Sequence, residues 1–344
     1  MNDTTEQTPR LPPVRVQSPF HHVNLAPGFD SLLADLPDGV DVVPSMMSIG
    51  ERKLLYNVVD QYWSGRGLII DAGLMCGASS VLFGRAVQRR PGARRRAIVA
   101  IDRAVAGAGE ARFIRERVPG AGIRAGDSFA DIIKGFIGDV RDVVDLRIGD
   151  IEAVGGNISR AIEVLFLDVL KVRSVADFCM RTYFPRLFAG SFVLQQDYFT
   201  DTLPWIREQQ EHLYLTNCFS YVGEVGPTAV FTCRKRPSLQ SCEEACGNFP
   251  YEHVVRLLSA AEQRPTDPCR RALCGLSRVW RAAEMRGPDE AAAVLRGVRE
   301  TYAGPIAASK GKRLKNALDA ADYLCAEAWS DERAYQAALM SAGH

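Results

Sequence analysis

The sequence predicts an α/β protein built on a doubly wound, mostly parallel seven-stranded sheet. A C-terminal antiparallel hairpin closes the sheet, and a helical C-terminal extension follows it. Three observations predict this. Short apolar runs alternate with amphipathic stretches from residue 48 to about residue 216, the pattern of a parallel sheet covered on both faces. Two further apolar runs, separated by Gly226-Pro227, suit a hairpin. Beyond Pro237 the strand signals stop and only helical periodicity remains.

The elements follow in order. SIGERKLLYNVVDQY (48–62) places Leu54, Leu55, Val58 and Val59 on one helical face, and Gly65 and Gly67 end it. LIIDA (68–72) is a compact apolar strand, followed by a Gly-bearing turn and the helical SSVLFGRAV. AIVAID (97–102), VVDLRI (143–148) and 164–168 read as the second, third and fourth strands. Residues 178–188 read as a helix, SFVLQ (191–195) as the fifth strand, and 205–216 as a further helix. The hairpin strands are expected near 219–224 and 229–233. The stretch 104–142 is too long for an ordinary crossover and is expected to add a helix or a lid. PYEHVVRLLSAAEQ, DEAAAVLRGVRETYAG and LKNALDAADYLCAEAW are amphipathic helices. The resulting division is a disordered lead-in (1–22), an α/β domain with an N-terminal helical cap (23–236) and a helical extension (237–344).

Composition narrows the function. The chain has 344 residues, 47% hydrophobic and 24% charged, with a net charge of +1. That is ordinary for a globular protein and gives no overall pull toward nucleic acid or an anionic membrane. No run approaches the ~18 apolar residues of a membrane span. The Pro-rich N-terminus lacks the apolar core of a signal peptide. Nine cysteines, an odd number without an export signal, read as reduced thiols in a cytoplasmic protein.

Chemistry is expected where the strands end, because ligands of open α/β sheets bind outside the carboxyl ends of the strands. IDAGLMCGAS (70–79) ends the first strand at Asp71, with Gly73 and Gly77 flanking the turn. The spacing is D-x-G-x-x-x-G, not that of a dinucleotide-binding turn. It reads as a place where backbone approaches a ligand, or as a plain strand-to-helix turn. Asp102 ends the second strand, where an acid commonly holds ribose hydroxyls; a helix cap is the alternative. Asp150 ends the third strand, equally suited to an adenine neighbour or a cap. In LFLDVLK (165–171), Asp168 ends the fourth strand and Lys171 follows one turn on; VLQQDYF brings Gln196 and Asp197 to the end of the fifth. Two carboxylates and an amide form an all-oxygen set that suits Mg²⁺, and a nearby lysine could take a proton. The alternative is Asp168 as a cap with Lys171 as its surface partner.

Taken together, these residues resemble a known family. IDAGLMCGASSVLFG is similar to the first motif of class I S-adenosylmethionine-dependent methyltransferases, whose fold is Rossmann-like. It is most similar to that of catechol O-methyltransferase and its metal-dependent relatives. LFLDVLK resembles their strand-four motif, and SFVLQQDYF lies where they carry an Asp-Asn pair. The resemblance implies that Asp71, Gly73, Gly77, Ser79, Asp102 and Asp150 meet S-adenosylmethionine. It further implies that Asp168, Gln196 and Asp197 hold Mg²⁺ or another divalent cation, and that Lys171 is the base. The acceptor would be a small-molecule, natural-product-like hydroxyl. The resemblance covers about residues 66–234. This chain departs from the family in its Gln-Asp order, in an Asp rather than a Glu at the ribose position, and in the long 104–142 insertion.

Two other classes compete: an enzyme of this fold that runs another reaction, and a non-catalytic scaffold that recruits a partner through its helical tail. The extension is expected to pack on the α/β domain or on a second copy of it, as a homodimer. Cys242 and Cys246, and Cys269 and Cys274, lie in helical sequence and read as thiols rather than zinc ligands. Arg89, Arg90 and Arg94–96 read as a solvated loop with no aromatic platform for nucleic acid. His21 and His22 could form part of an N-terminal lid. Tyr198 and Trp205 follow Asp197 closely and read either as acceptor-pocket or as core residues.

Overall fold

The computed structural model describes residues 29–90, 95–309 and 312–325. The lead-in, His21, His22, part of the basic loop and the last residues of the expected LKNALDAADYLCAEAW helix lie outside the described residues. The elements run α1 (Ile49–Asn57), β1 (Leu68–Ala72), α2 (Ala78–Gln88), β2 (Ile98–Asp102), α3 (Ala108–Arg117), α4 (Ala130–Ile137), β3 (Val144–Ile148), α5 (Ile151–Val154), β4 (Ile162–Leu167) and α6 (Arg173–Thr182). They continue with β5 (Leu187–Gln195), α7 (Pro204–Leu215), β6 (Phe219–Val225), β7 (Thr228–Cys233), α8 (Leu239–Ala245), α9 (Tyr251–Glu262), α10 (Pro268–Arg286), α11 (Pro288–Thr301), α12 (Ala303–Ala308) and α13 (Lys312–Cys325).

The sheet order is β3-β2-β1-β4-β5-β7-β6. All pairs are parallel except β5–β7 and β6–β7, so the expected doubly wound sheet with a closing hairpin is the observed one. Every residue of β1 and β4 is buried, which explains why they read as unbroken apolar runs rather than alternating ones. Alternate β1 residues face opposite layers. Ile69 joins the core beneath α1, α2 and α4, while Leu68, Ile70 and Ala72 join the core beneath α6 and α7. A third cluster, from Ala272 to Leu324, is built by α10, α11 and α13.

Register positions the site. Ala72 pairs with Ile101 on one side and Leu167 on the other, and Leu167 pairs with Gln195. The strand ends are therefore level, and Gly73, Asp102, Asp168 and Gln196 emerge in one row.

Several boundaries differ from the sequence reading. The helix expected over 48–62 is α-helical only to Asn57 and closes with a π-turn over Val58–Tyr62. The helix expected at 178–188 is α6, which starts at Arg173 and gives way to a short turn through Pro185; β5 then begins at Leu187, not at 191. A proline cannot continue the helix, so the chain turns there. The long 104–142 insertion holds two helices, α3 and α4, and Val105 bridges Ser128. All nine cysteines are free thiols. Among the described residues, no helix is long and apolar enough to cross a membrane.

Candidate active site

The turn after β1 is shaped by backbone geometry. Gly73 has φ +93°, and a Cβ there would lie 2.5 Å from the carbonyl oxygen of Asp168. Glycine lets the ends of β1 and β4 approach this closely. Its N–H donates to Ile101 O (2.9 Å). Gly77, also at φ +93°, starts α2 in the left-handed region, and a Cβ there would meet Ile137 at 3.2 Å.

Asp102 holds that turn. Its Oδ2 accepts from the amides of Leu74 (2.7 Å) and Met75 (3.1 Å), and its Oδ1 from Ala104 N (2.6 Å). Burial raises its pKa above the usual carboxylate value, opposed by the three amides. Asp71 and Ser79 are brought together, but with each other. Ser79 and Ser80 both donate to Asp71 Oδ2, at 2.9 and 2.5 Å. Asp71 is fully buried and its Oδ1 has no partner; desolvation lifts its pKa to about 7. The pair ties α2 to β1 and does not line the cavity described below. The structure places both behind the turn rather than on the cavity wall, with Ser79 donating to Asp71.

On the far side of Gly73, Lys171 Nζ donates to Asp168 Oδ1 (3.1 Å) and forms an ion pair with Asp197 Oδ2. Asp197 sits at φ +58°, a conformation that Asp tolerates. Its other oxygen accepts from Thr200 Oγ1 (3.2 Å). Burial raises the Asp168 pKa, while Lys171 lowers it. The Gln196 side chain bonds to the Thr228 hydroxyl, which also reaches Glu51 Oε1 (2.9 Å).

A cavity of about 430 Å³ joins the two halves. Asp102 and Asp150 line it on the β2–β3 side, Gly73 and Met75 in the middle, and Asp168 and Lys171 on the β4 side. Asp150 also caps α5, accepting from Glu152 N (2.9 Å). Gly77, Gln196 and Asp197 lie outside the lining. Met46, Val105 and Val172 form an apolar rim, 62%, 39% and 53% exposed. Trp205 Nε1 donates to Leu170 O (2.9 Å) and Tyr198 is fully buried; neither lines the cavity.

The donor set was tested against a divalent cation. Asp168 and Asp197 both face the Lys171 ammonium, and Gln196 is engaged by Thr228. Among the described residues, no group of three His, Cys, Asp or Glu side chains converges; the expected set, two acids and an amide, is of a different make-up. The expected Mg²⁺ finds no support in this arrangement, where an ammonium stands between the two carboxylates.

Sequence reasoning missed Glu51, Thr200, Thr228, Arg207 and Arg313. Ser48 and Glu51 do carry a visible signal: their spacing is that of a capping box, and Ser48 N donates to Glu51 Oε2 (2.9 Å). The reach of Glu51 to Thr228, 177 residues away, has no local signature.

No family model matches the chain, and no curated protein matches it. Among solved structures, it is similar to that of the O-methyltransferase NovP. The TM-score is 0.42 with 14% sequence identity, over 56% of this chain and 83% of that one.

Proposed function

We propose that this chain is an S-adenosylmethionine-dependent methyltransferase acting on a hydroxyl of a small-molecule acceptor, with Lys171 as the general base. The observation that carries the reading is the single cavity lined by Asp102 and the glycine turn on one side and by Lys171 on the other. Bound S-adenosylmethionine would supply a methyl group activated on a sulfonium. Asp102 accepts three amides yet keeps lone pairs for ribose hydroxyls, since a carboxylate offers about four acceptor sites. Asp150 stands on the β3 side, where the nucleoside end would lie. Lys171, having given its own proton to bulk water, takes the acceptor hydroxyl proton on Nζ, and Asp168 and Asp197 stabilise the ammonium that forms. The apolar rim favours an acceptor whose non-reacting part is apolar. No step is routed through a metal.

Calorimetric titration with S-adenosylhomocysteine tests the cofactor side. Binding is expected, and Asp102→Asn should weaken it by about tenfold or more, the cost of losing a charged hydrogen-bond partner. A folded parent that takes up none of this ligand would end the reading. Transfer of a labelled methyl group to a panel of phenols and sugars would then define the acceptor.

A further inference from the structure

We infer that Arg313, on α13 of the C-terminal extension, is a positioning residue for Lys171 and acts through Thr200 and Asp197. The inference rests on Lys171 being the base.

Four groups are linked in series. Arg313 Nη2 donates to Thr200 Oγ1 (2.5 Å). Thr200 Oγ1 donates to Asp197 Oδ1 (3.2 Å). Asp197 Oδ2 pairs with Lys171 Nζ. The donor directions are consistent: a guanidinium can only donate, so the single hydroxyl proton is left for the carboxylate. A hydroxyl that accepts from a cation is polarised and becomes a better donor.

Thr200 is well placed to fix Asp197. It is 8% exposed, and its backbone N–H donates to Asp197 O (2.9 Å). One residue thus fastens Asp197 through both main chain and side chain, in the left-handed conformation at φ +58°. The loop beyond is held by the extension as well. The fully buried Arg207 bonds the carbonyls of Tyr198 and Thr200 (2.7 Å to the latter) and Ser277 Oγ on α10. Ser277 Oγ donates to Asp201 O (2.8 Å), and Trp280 Nε1 to Asp201 Oδ2 (3.2 Å). Arg313 lies at the surface, hydrogen-bonds Thr200 and stands within electrostatic reach of the buried Asp201 carboxylate. A charged side chain thus reaches a hydroxyl two hydrogen bonds from the reactive amine.

The test reads Lys171 directly and needs no acceptor. Limited acetylation with acetic anhydride, followed by peptide mass spectrometry, gives the reactivity of Lys171 relative to the surface Lys134 of α4. Asp197→Asn should raise it. Arg313→Met and Thr200→Val should raise it by about two- to fivefold, the range set by an exposed ion pair. Thr200→Ser and Arg313→Lys, which keep the bonds, should match the parent. The double variant Arg313→Met/Thr200→Val should go no further than either single one, because both break the same series. S-adenosylhomocysteine affinity should stay within twofold in all of them; a general loosening of the fold would lower it. An Arg313→Met protein with unchanged Lys171 reactivity, beside a responsive Asp197→Asn, overturns the positioning role and leaves the proposed function standing. If Asp197→Asn also changes nothing, the Lys171–Asp197 pair fails, and the reading of Lys171 falls with it.

Discussion

Lys171 and Asp197, 26 residues apart, meet as an ion pair because β4 and β5 are adjacent and end level. The same ammonium contacts Asp168 at 3.1 Å. A single cation thus satisfies the acids of two strand ends, and this has a direct consequence for metal binding. Lys171→Met keeps the aliphatic stem and deletes the amine. Methyl-transfer turnover should fall by about 10²-fold or more, with S-adenosylhomocysteine affinity unchanged. The parent should take up little Mg²⁺ in calorimetric titration and stay active in chelator. The variant, with two uncompensated carboxylates, should bind Mg²⁺ more tightly than the parent. Loss of activity in chelator, restored by Mg²⁺, would reinstate the metal and refute this arrangement.

Gly73 should tolerate no side chain. At φ +93°, with the Asp168 carbonyl 2.5 Å from an added Cβ, Gly73→Ala should destabilise the protein by about 1–3 kcal/mol and weaken S-adenosylhomocysteine binding. Gly156, where an added Cβ meets nothing within 4 Å, provides the control, and Gly156→Ala should be near neutral in both. Equal urea midpoints for the two variants would show that the β1–β4 approach has slack.

Asp71 should make stability fall with pH. Its pKa is raised from 3.8 to about 7, chiefly by desolvation. Between those values the native state keeps a proton that the unfolded chain has released. The contribution is fully present below about pH 4 and is lost as pH rises through about 7. Asp71→Asn keeps an acceptor for Ser79 and Ser80 and removes the titration. The parent should therefore lose stability relative to the variant by up to about 1.4 kcal/mol per pH unit in that window. Urea unfolding of both proteins at pH 5, 6 and 7 checks this, and parallel stability curves would show that Asp71 ionises normally.

Much of the fold is legible in local pattern. LIIDA and LFLD are buried on both faces, so their apolar character is continuous and easily recognised. The α6–β5 boundary was misplaced because the run from 178 to 188 is apolar enough for either element, and only the turn at Pro185 divides them. The family resemblance assigned Ser79 to the cofactor, while the structure adds that its hydroxyl donates to Asp71, eight residues away. Residue type shows what a side chain can bond; it does not show which of several partners is nearest.

By itself, the sequence determined the doubly wound sheet, the order of its strands and helices, and the polar residues that end each strand. These follow from periodicity and from glycine, and both are local properties. Only the tertiary structure decided that Lys171 lies between Asp168 and Asp197, that Glu51 reaches Thr228, and that Arg313 is joined to the site through Thr200. Those contacts span 26, 177 and 113 residues. Each is a single polar pairing created when apolar faces pack elsewhere, and no periodicity in the chain encodes it.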